Sequence, residues 1–120
     1  MRILIADDNE KVRRGVSEMI SSETGWAICG EAADGREGLR EARILLPDLI
    51  LMDINMPGLS GLEVSRLLRQ QVPKAKIVIM SQHDPIQLLP RAIEAGAHAC
   101  VDKSNLANDL LPTIKSVVGT

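Results

Sequence analysis

Apolar runs of strand length alternate with stretches of helical period along the whole chain. That alternation constrains the fold more than any other feature. Strands separated by helix-length segments build a parallel sheet with helices packed on both faces. The runs are 2–7, 26–31, 48–53, 76–81 and 97–102. Run 48–53 is apolar on both faces and therefore central; run 26–31 contains Gly30, has few β-branched residues and suits an edge.

Between the runs, apolar residues fall at helical spacing. Val12, Val16, Met19 and Ile20 mark a helix over about 10–22. Leu39, Ala42, Leu45 and Leu46 mark one over 35–46. Leu62, Val64, Leu67 and Leu68 mark one over about 60–71. Leu106, Leu110, Leu111, Ile114, Val117 and Val118 mark a last one, from Ser104 or Asn105 to 118. Asn9 and Ser60 suit the starts of the first and third of these helices. Pro47 and Pro73 close the second and third, and Gly96 suits the end of a fourth helix between 85 and 95. Pro90 and Pro112 stand inside helical stretches, where each removes a donor and crowds the preceding turn. A kink or late start is expected at both, with the fourth helix regular only from about Leu89.

At 120 residues the chain is one domain, large enough for a substantial core. It has one Trp, no Tyr and no Phe, so the core must be aliphatic. A net charge of −2 gives no basic footprint for direct nucleic-acid binding and no polybasic patch for a membrane surface. No apolar stretch approaches the roughly 18–20 residues of a membrane span, and no hydrophobic leader precedes the first run. A cytoplasmic location is expected. Cys29 and Cys100 fall on opposite edge strands of the expected sheet, too far apart to bridge, and read as two buried small apolar residues. Without matching histidines they make no zinc site.

Four of the runs end on residues with chemistry. The first ends on Asp7-Asp8, the third on Asp53, the fourth on Ser81, and the fifth leads into Lys103. Ligands of open parallel sheets bind outside the carboxyl ends of the strands, so these groups converge. Singly, each has a plain structural reading: a helix cap, a turn residue, a strand-end hydroxyl, a surface lysine. Four such accidents at successive strand ends are improbable together. Adjacent carboxylates are costly to ionise unless a cation lies between them. Mg²⁺ (or Mn²⁺) suits their oxygens, with Asp7, Asp8, Asp53 and the backbone carbonyl of Asn55 as ligands. Asp53 is also a carboxylate nucleophile able to form an aspartyl-phosphate. Lys103 and Ser81 would then meet the phosphoryl oxygens.

At these residues the chain resembles the receiver domain of bacterial two-component response regulators. The resemblance spans essentially all 120 residues. It rests on Ile5-Ala6-Asp7-Asp8-Asn9, Asp53-Ile54-Asn55-Met56-Pro57-Gly58-Leu59-Ser60-Gly61, Ser81-Gln82-His83-Asp84, and Ala95-Gly96-Ala97 leading through Val101 to Lys103-Ser104. It implies a CheY-like, flavodoxin-like α/β fold: a doubly wound five-stranded parallel sheet of order 2-1-3-4-5. It implies that Asp53 accepts a phosphoryl group from a sensor histidine kinase, without the domain being a conventional enzyme. Asp8 matches the direct metal ligand and Asp7 its partner, often acting through water. Ser81 matches the switch hydroxyl and Lys103 the charge-pairing lysine. Asn55 and His83 match positions that tune dephosphorylation.

Ser-Gln-His-Asp is similar to receivers that carry a C-terminal helix-turn-helix output domain (LuxR/NarL-type). Many receivers form homodimers through helix four, strand five and helix five, where His98 would lie; the plainer reading of His98 is an exposed polar residue on an edge strand. Trp26 reads as ordinary packing. One departure stands out: three residues before the lysine, receivers usually carry Tyr or Phe, and here Cys100 occupies that switch position. A coupled hydroxyl–aromatic switch cannot operate in its usual form. A redox-sensing Cys100 and a phosphorylation-independent interaction module are the alternatives this departure leaves open. A phosphatase or a dinucleotide enzyme fits poorly. The first would want a second Asp where Asn55 stands, and the second a glycine-rich turn where Asp7-Asp8-Asn9 stands.

Overall fold

The computed structural model describes residues 1–82 and 84–119. Its elements are β1 (Arg2–Ala6), α1 (Glu10–Ser21), β2 (Ala27–Ala32), α2 (Gly35–Leu45), β3 (Leu49–Asp53), α3 (Gly61–Gln71), β4 (Lys76–Ser81), α4 (Pro85–Glu94), β5 (Ala99–Asp102), a 3-10 turn over Lys103–Asn105, and α5 (Leu106–Val118). The strands form one parallel sheet of order β2-β1-β3-β4-β5, the order the sequence resemblance implies. No helix among the described residues is long and apolar enough to cross a membrane.

Strand alternation sorts the core into two layers. Leu4, Ala6, Ile50, Met52, Ile77 and Ile79 point to the side covered by α2, α3 and α4, through Ala42, Val64, Leu68, Leu88 and Ala92. Ile3, Ile5, Leu49, Leu51, Val78 and Met80 point to α1 and α5, through Val16, Ile20, Leu110 and Ile114. Every residue of β3 is buried, as a strand with neighbours on both edges and helices on both faces requires. Trp26 packs against the second layer just before β2, at the amino-terminal end of the strands.

Register decides where the chemistry lands. Ala6 pairs with Met52, Asp53 with Met80 and Ser81 with Asp102. The carboxyl ends of β1, β3, β4 and β5 therefore lie level, and the loops that leave them share one edge of the sheet.

Several local expectations hold. Asn9 caps α1 by accepting from the amides of Lys11 and Val12. Ser60 and Glu63 form a reciprocal capping box on α3. Gly96 follows α4 with φ +96°, a region that disfavours side chains. Four points differ. Leu46 is not part of the inward face of α2. It is the left-handed C-cap, with φ +49°, and its side chain is 63% exposed; periodicity alone does not separate a last turn from its cap. The helix around Pro90 starts at Pro85, not near Leu89. Pro85 takes the first helical turn, where no donor is needed, and Asp84 caps it by accepting from the Ile86 amide. Pro90 and Ile86 both stand on the exposed side, where solvent can serve the carbonyl that Pro90 leaves without a donor. Cys29 and Cys100 are half-buried, not buried, although they do lie on opposite edge strands and carry free thiols. Cys29 is the extra residue of a bulge, since Ile3 pairs with Ile28 but Leu4 with Gly30. Finally, His98 is not an exposed edge residue. Its amide donates to the Ile77 carbonyl (2.7 Å), and its Nδ1 accepts from the Ile77 amide (3.1 Å).

Gly61, the first residue of α3, is where the fold and the site meet. Its amide donates to the Ile54 carbonyl, and a Cβ there would lie 2.4 Å from the Asp53 carbonyl oxygen and 2.8 Å from the Ile54 Cα. Both obstacles are backbone, so relief requires moving the end of β3. Gly61→Ala is expected to destabilise the domain by about 2 kcal/mol, read as a lowered midpoint in urea unfolding. An unchanged midpoint would show that the β3–α3 connection yields freely.

Candidate functional site

Asp7 follows β1 directly and is fully buried. Three of its four polar atoms are tied down. Its amide donates to the Ala32 carbonyl (3.0 Å), its carbonyl accepts from Arg13 Nη1 (2.6 Å), and its Oδ1 accepts from the Asn9 amide (2.8 Å). Oδ2 is buried and, among the described residues, has no hydrogen bond of good geometry; its close neighbour is the Lys103 ammonium at 2.8 Å. Asp53 ends β3 and is 3% exposed. Its Oδ1 accepts from the Asn55 amide (3.2 Å) and its Oδ2 lies 3.4 Å from Lys103 Nζ. Asp8 is exposed at the rim. One carboxylate oxygen from each of Asp7, Asp8 and Asp53 lies within 4.8 Å of the other two.

Ser81 ends β4, buried, with Asp102 opposite it in β5. Lys103 opens the 3-10 turn that Asp102 caps by accepting from the Ser104 amide. That tight turn aims the lysine back over the strand ends. A cavity of about 180 Å³ opens beside these groups, lined by Asp8, Asn9, Asp53, Asn55, Gln82 and Lys103. Asp7, Asp8, Asp53, Asn55 and Lys103 thus come together as the sequence suggests, with Ser81 at the neighbouring strand end. His83 lies outside the described residues. Gln82 and Asn9 stand within the motifs that carry the resemblance, but neither has a site role there, and Arg13 belongs to no such motif.

The electrostatics follow from this crowding. Burial, and then the Asp7 charge, push the Asp53 carboxyl up to about 6, against the lowering effects of the Asn55 amide and Lys103. Burial works to lower Lys103, but the Asp7 and Asp53 carboxylates outweigh it and hold the ammonium above its ordinary value. Two buried carboxylates share one lysine, leaving the cluster one negative charge in excess even before Asp8 is counted. Three carboxylate oxygens within reach of one centre and this excess charge fit a hard divalent cation. Asp7, Asp8 and Asp53 would supply carboxylates, and Asn55 its backbone carbonyl.

The family model of the response regulator receiver domain matches residues 3–115. The chain belongs to this family. It is 34% identical over 117 residues to the response regulator GacA of Pseudomonas viridiflava, covering 98% of the chain and 55% of that protein. It therefore spans about half the length of such relatives. Among solved structures, a two-component response regulator of the LuxR family from Aurantimonas sp. SI85-9A1 superposes with a TM-score of 0.92 at 36% identity, over 98% of this chain and 84% of that one. The response regulator domain of Thermotoga maritima CheB superposes with a TM-score of 0.90 at 26% identity, over 100% and 97%.

Cys100 sits in β5 opposite Ile79 and packs against the layer under α4. Burial pushes its thiol up to about 11, the reverse of what a reactive cysteine needs. Roughly one thiol in a thousand is ionised at pH 8. Alkylation of Cys100 by iodoacetamide in the native protein is therefore expected to run far slower than for a free thiol. Alkylation at the free-thiol rate would revive the redox reading.

The raised Asp53 value has a definite sign for stability. The folded state holds this proton more tightly than the unfolded chain, whose carboxyl titrates near 3.8. The contribution of this group to stability is therefore fully present below about pH 4 and is lost as pH rises through about 6. Asp53→Asn removes the penalty. In metal-free buffer at pH 7.5 it is expected to stabilise the domain by on the order of 1 kcal/mol, a gain that vanishes by about pH 4 in urea titrations. A destabilised variant at pH 7.5 would overturn this assignment.

Proposed function

We propose that this receiver is a Mg²⁺-dependent phosphoryl switch, with Asp53 taking a phosphoryl group from the phosphohistidine of a sensor histidine kinase. The observation that supports this best is Asp53 itself, a buried carboxylate at an open cavity with Asp7, Asp8 and Lys103 around it. Buried acids without a task are rarely clustered at one strand edge.

In the transfer, an Asp53 oxygen forms a bond to phosphorus and the phosphorus–nitrogen bond of the donor breaks. The donor imidazole, protonated at its other ring nitrogen, leaves neutral. With its carboxyl pushed up to only about 6 without metal, Asp53 is anionic at neutral pH and available as the nucleophile. Bound Mg²⁺, or Mn²⁺, would supply positive charge to the phosphoryl oxygens. Lys103 moves from sharing two carboxylates to pairing with the phosphoryl group, and the Ser81 hydroxyl donates to one of its oxygens. Asn55 borders the same cavity and is placed to influence water attack on the acyl phosphate. Dephosphorylation then proceeds on Asp53 alone, so the domain turns over no separate substrate.

The output face is α4, β5 and α5. Ile86, Leu89 and Ile93 stand exposed along α4 at 82%, 40% and 51%, an apolar stripe of the kind that marks an interaction surface. We assign this face to homodimerisation or to control of a C-terminal DNA-binding output domain, and hence of transcription, in the full-length protein. With Cys100 in place of an aromatic, repacking of α4 around Pro90 carries the signal. Free thiols on opposite sheet edges suit the reducing cytoplasm, where kinase and regulator would meet.

Intact-mass spectrometry after incubation with Mg²⁺ and acetyl phosphate is expected to show one added phosphoryl group, absent without Mg²⁺ and absent in Asp53→Ala. No adduct with acetyl phosphate or with a kinase would favour a module that signals by binding alone.

A further inference from the structure

Arg13 stands on α1, outside the cavity, with its side chain only 17% exposed. Its Nη1 donates to the Asp7 carbonyl at 2.6 Å and its Nε donates to Glu31 Oε1 on β2 at 2.9 Å. The guanidinium is thus held in a fork between a backbone oxygen of the acidic loop and a carboxylate on the edge strand. A peptide unit is planar, so a bond to the Asp7 carbonyl also sets the direction of the Asp8 amide and the path along which Asp8 leaves the strand. The Asp7 amide is already fixed by the Ala32 carbonyl, and Asp7 Oδ1 by the Asn9 amide. Arg13 supplies the remaining constraint on the peptide that joins the two acidic residues.

We infer that Arg13, oriented by Glu31, is a positioning residue for divalent-cation binding: it locks the Asp7–Asp8 peptide so that both carboxylates face the same centre. The inference rests on the metal-dependent reading of the site. Charge and position make opposite demands here, and that separates them. As a nearby cation, Arg13 repels Mg²⁺, so its removal on electrostatic grounds alone tightens binding. As a clamp, its removal loosens binding, because Asp8 is exposed at the rim and must then be ordered by the metal itself. Partners that orient metal ligands typically contribute 10- to 100-fold in affinity, larger than the effect of one screened charge. Lysine cannot replace the fork, since a single ammonium does not present the same planar pair of donors.

The test is an NMR titration of the whole domain with MgCl₂, following the Asp8 and Asn55 amides, on wild type, Arg13→Ala, Arg13→Lys and Glu31→Gln. Thermal melts without metal monitor folding. Arg13→Ala is expected to weaken Mg²⁺ binding roughly 10-fold or more, Arg13→Lys to recover little of it, and Glu31→Gln to fall between wild type and Arg13→Ala. Equal or tighter binding by a folded Arg13→Ala protein, or full recovery by Arg13→Lys, would overturn the clamp while leaving the phosphoacceptor reading intact. If Arg13→Ala does not fold, Glu31→Gln decides: unchanged affinity overturns the inference. Failure of the wild type to bind Mg²⁺ overturns both.

Discussion

One ammonium group holds the strand ends together. Lys103 lies 2.8 Å from an Asp7 oxygen and 3.4 Å from an Asp53 oxygen, and those two carboxylates close β1 and β3 at positions with almost no access to water. Removing that lysine would leave two buried carboxylates facing each other, and breaking a buried ion pair in this way typically costs about 3–5 kcal/mol. The lysine is itself delivered by a short 3-10 turn after β5, which Asp102 caps. Three strands and one turn are therefore tied through a single side chain. The tie is uneven: Lys103 sits closer to Asp7 than to Asp53, which leaves Asp53 the less committed of the two carboxylates.

Most of the architecture was readable because two periods govern it. Residues two apart share a strand face, and residues three or four apart share a helix face. Buried β3 follows from a run apolar on both faces, the edge strand β2 from Gly30 and its few β-branched residues, and the convergence of Asp7, Asp53 and Lys103 from parallel strands ending level. What escaped was of other kinds. Leu46 continues the apolar spacing of α2 but takes a left-handed cap conformation, so its side chain turns outward. Pro90 breaks the helical pattern on sequence, yet its ring stands on the exposed side of a helix already started by Pro85 and Asp84. His98 bonds a backbone 21 residues away, and Arg13 reaches across to a different strand. Neither link leaves a trace in local spacing.

The two sides of the sheet are built for different work. The layer beneath α1 and α5 is filled by buried Ile, Leu, Val and Met from six elements, with α1 and α5 also in contact with each other. On the other side α4 rests on β5 and keeps an apolar stripe outside. Cys100 lies beneath that helix with its thiol pushed up by burial, a small, neutral filler where a ring would impose a fixed shape. A helix resting on such a filler is held by contacts that small side-chain movements can rearrange.

The absence of Tyr and Phe has an optical consequence. Trp26 is the one strong chromophore of the chain, and it packs just before β2, at the end of the sheet opposite the acidic cavity. Its emission senses whether the layer under α1 is intact, and it is separated from Asp53 by the length of the strands. The domain thus reports its own unfolding by light and is silent about its chemistry, so a fluorophore placed near Gln82 or Asn55 would have to be added to make the acidic site visible.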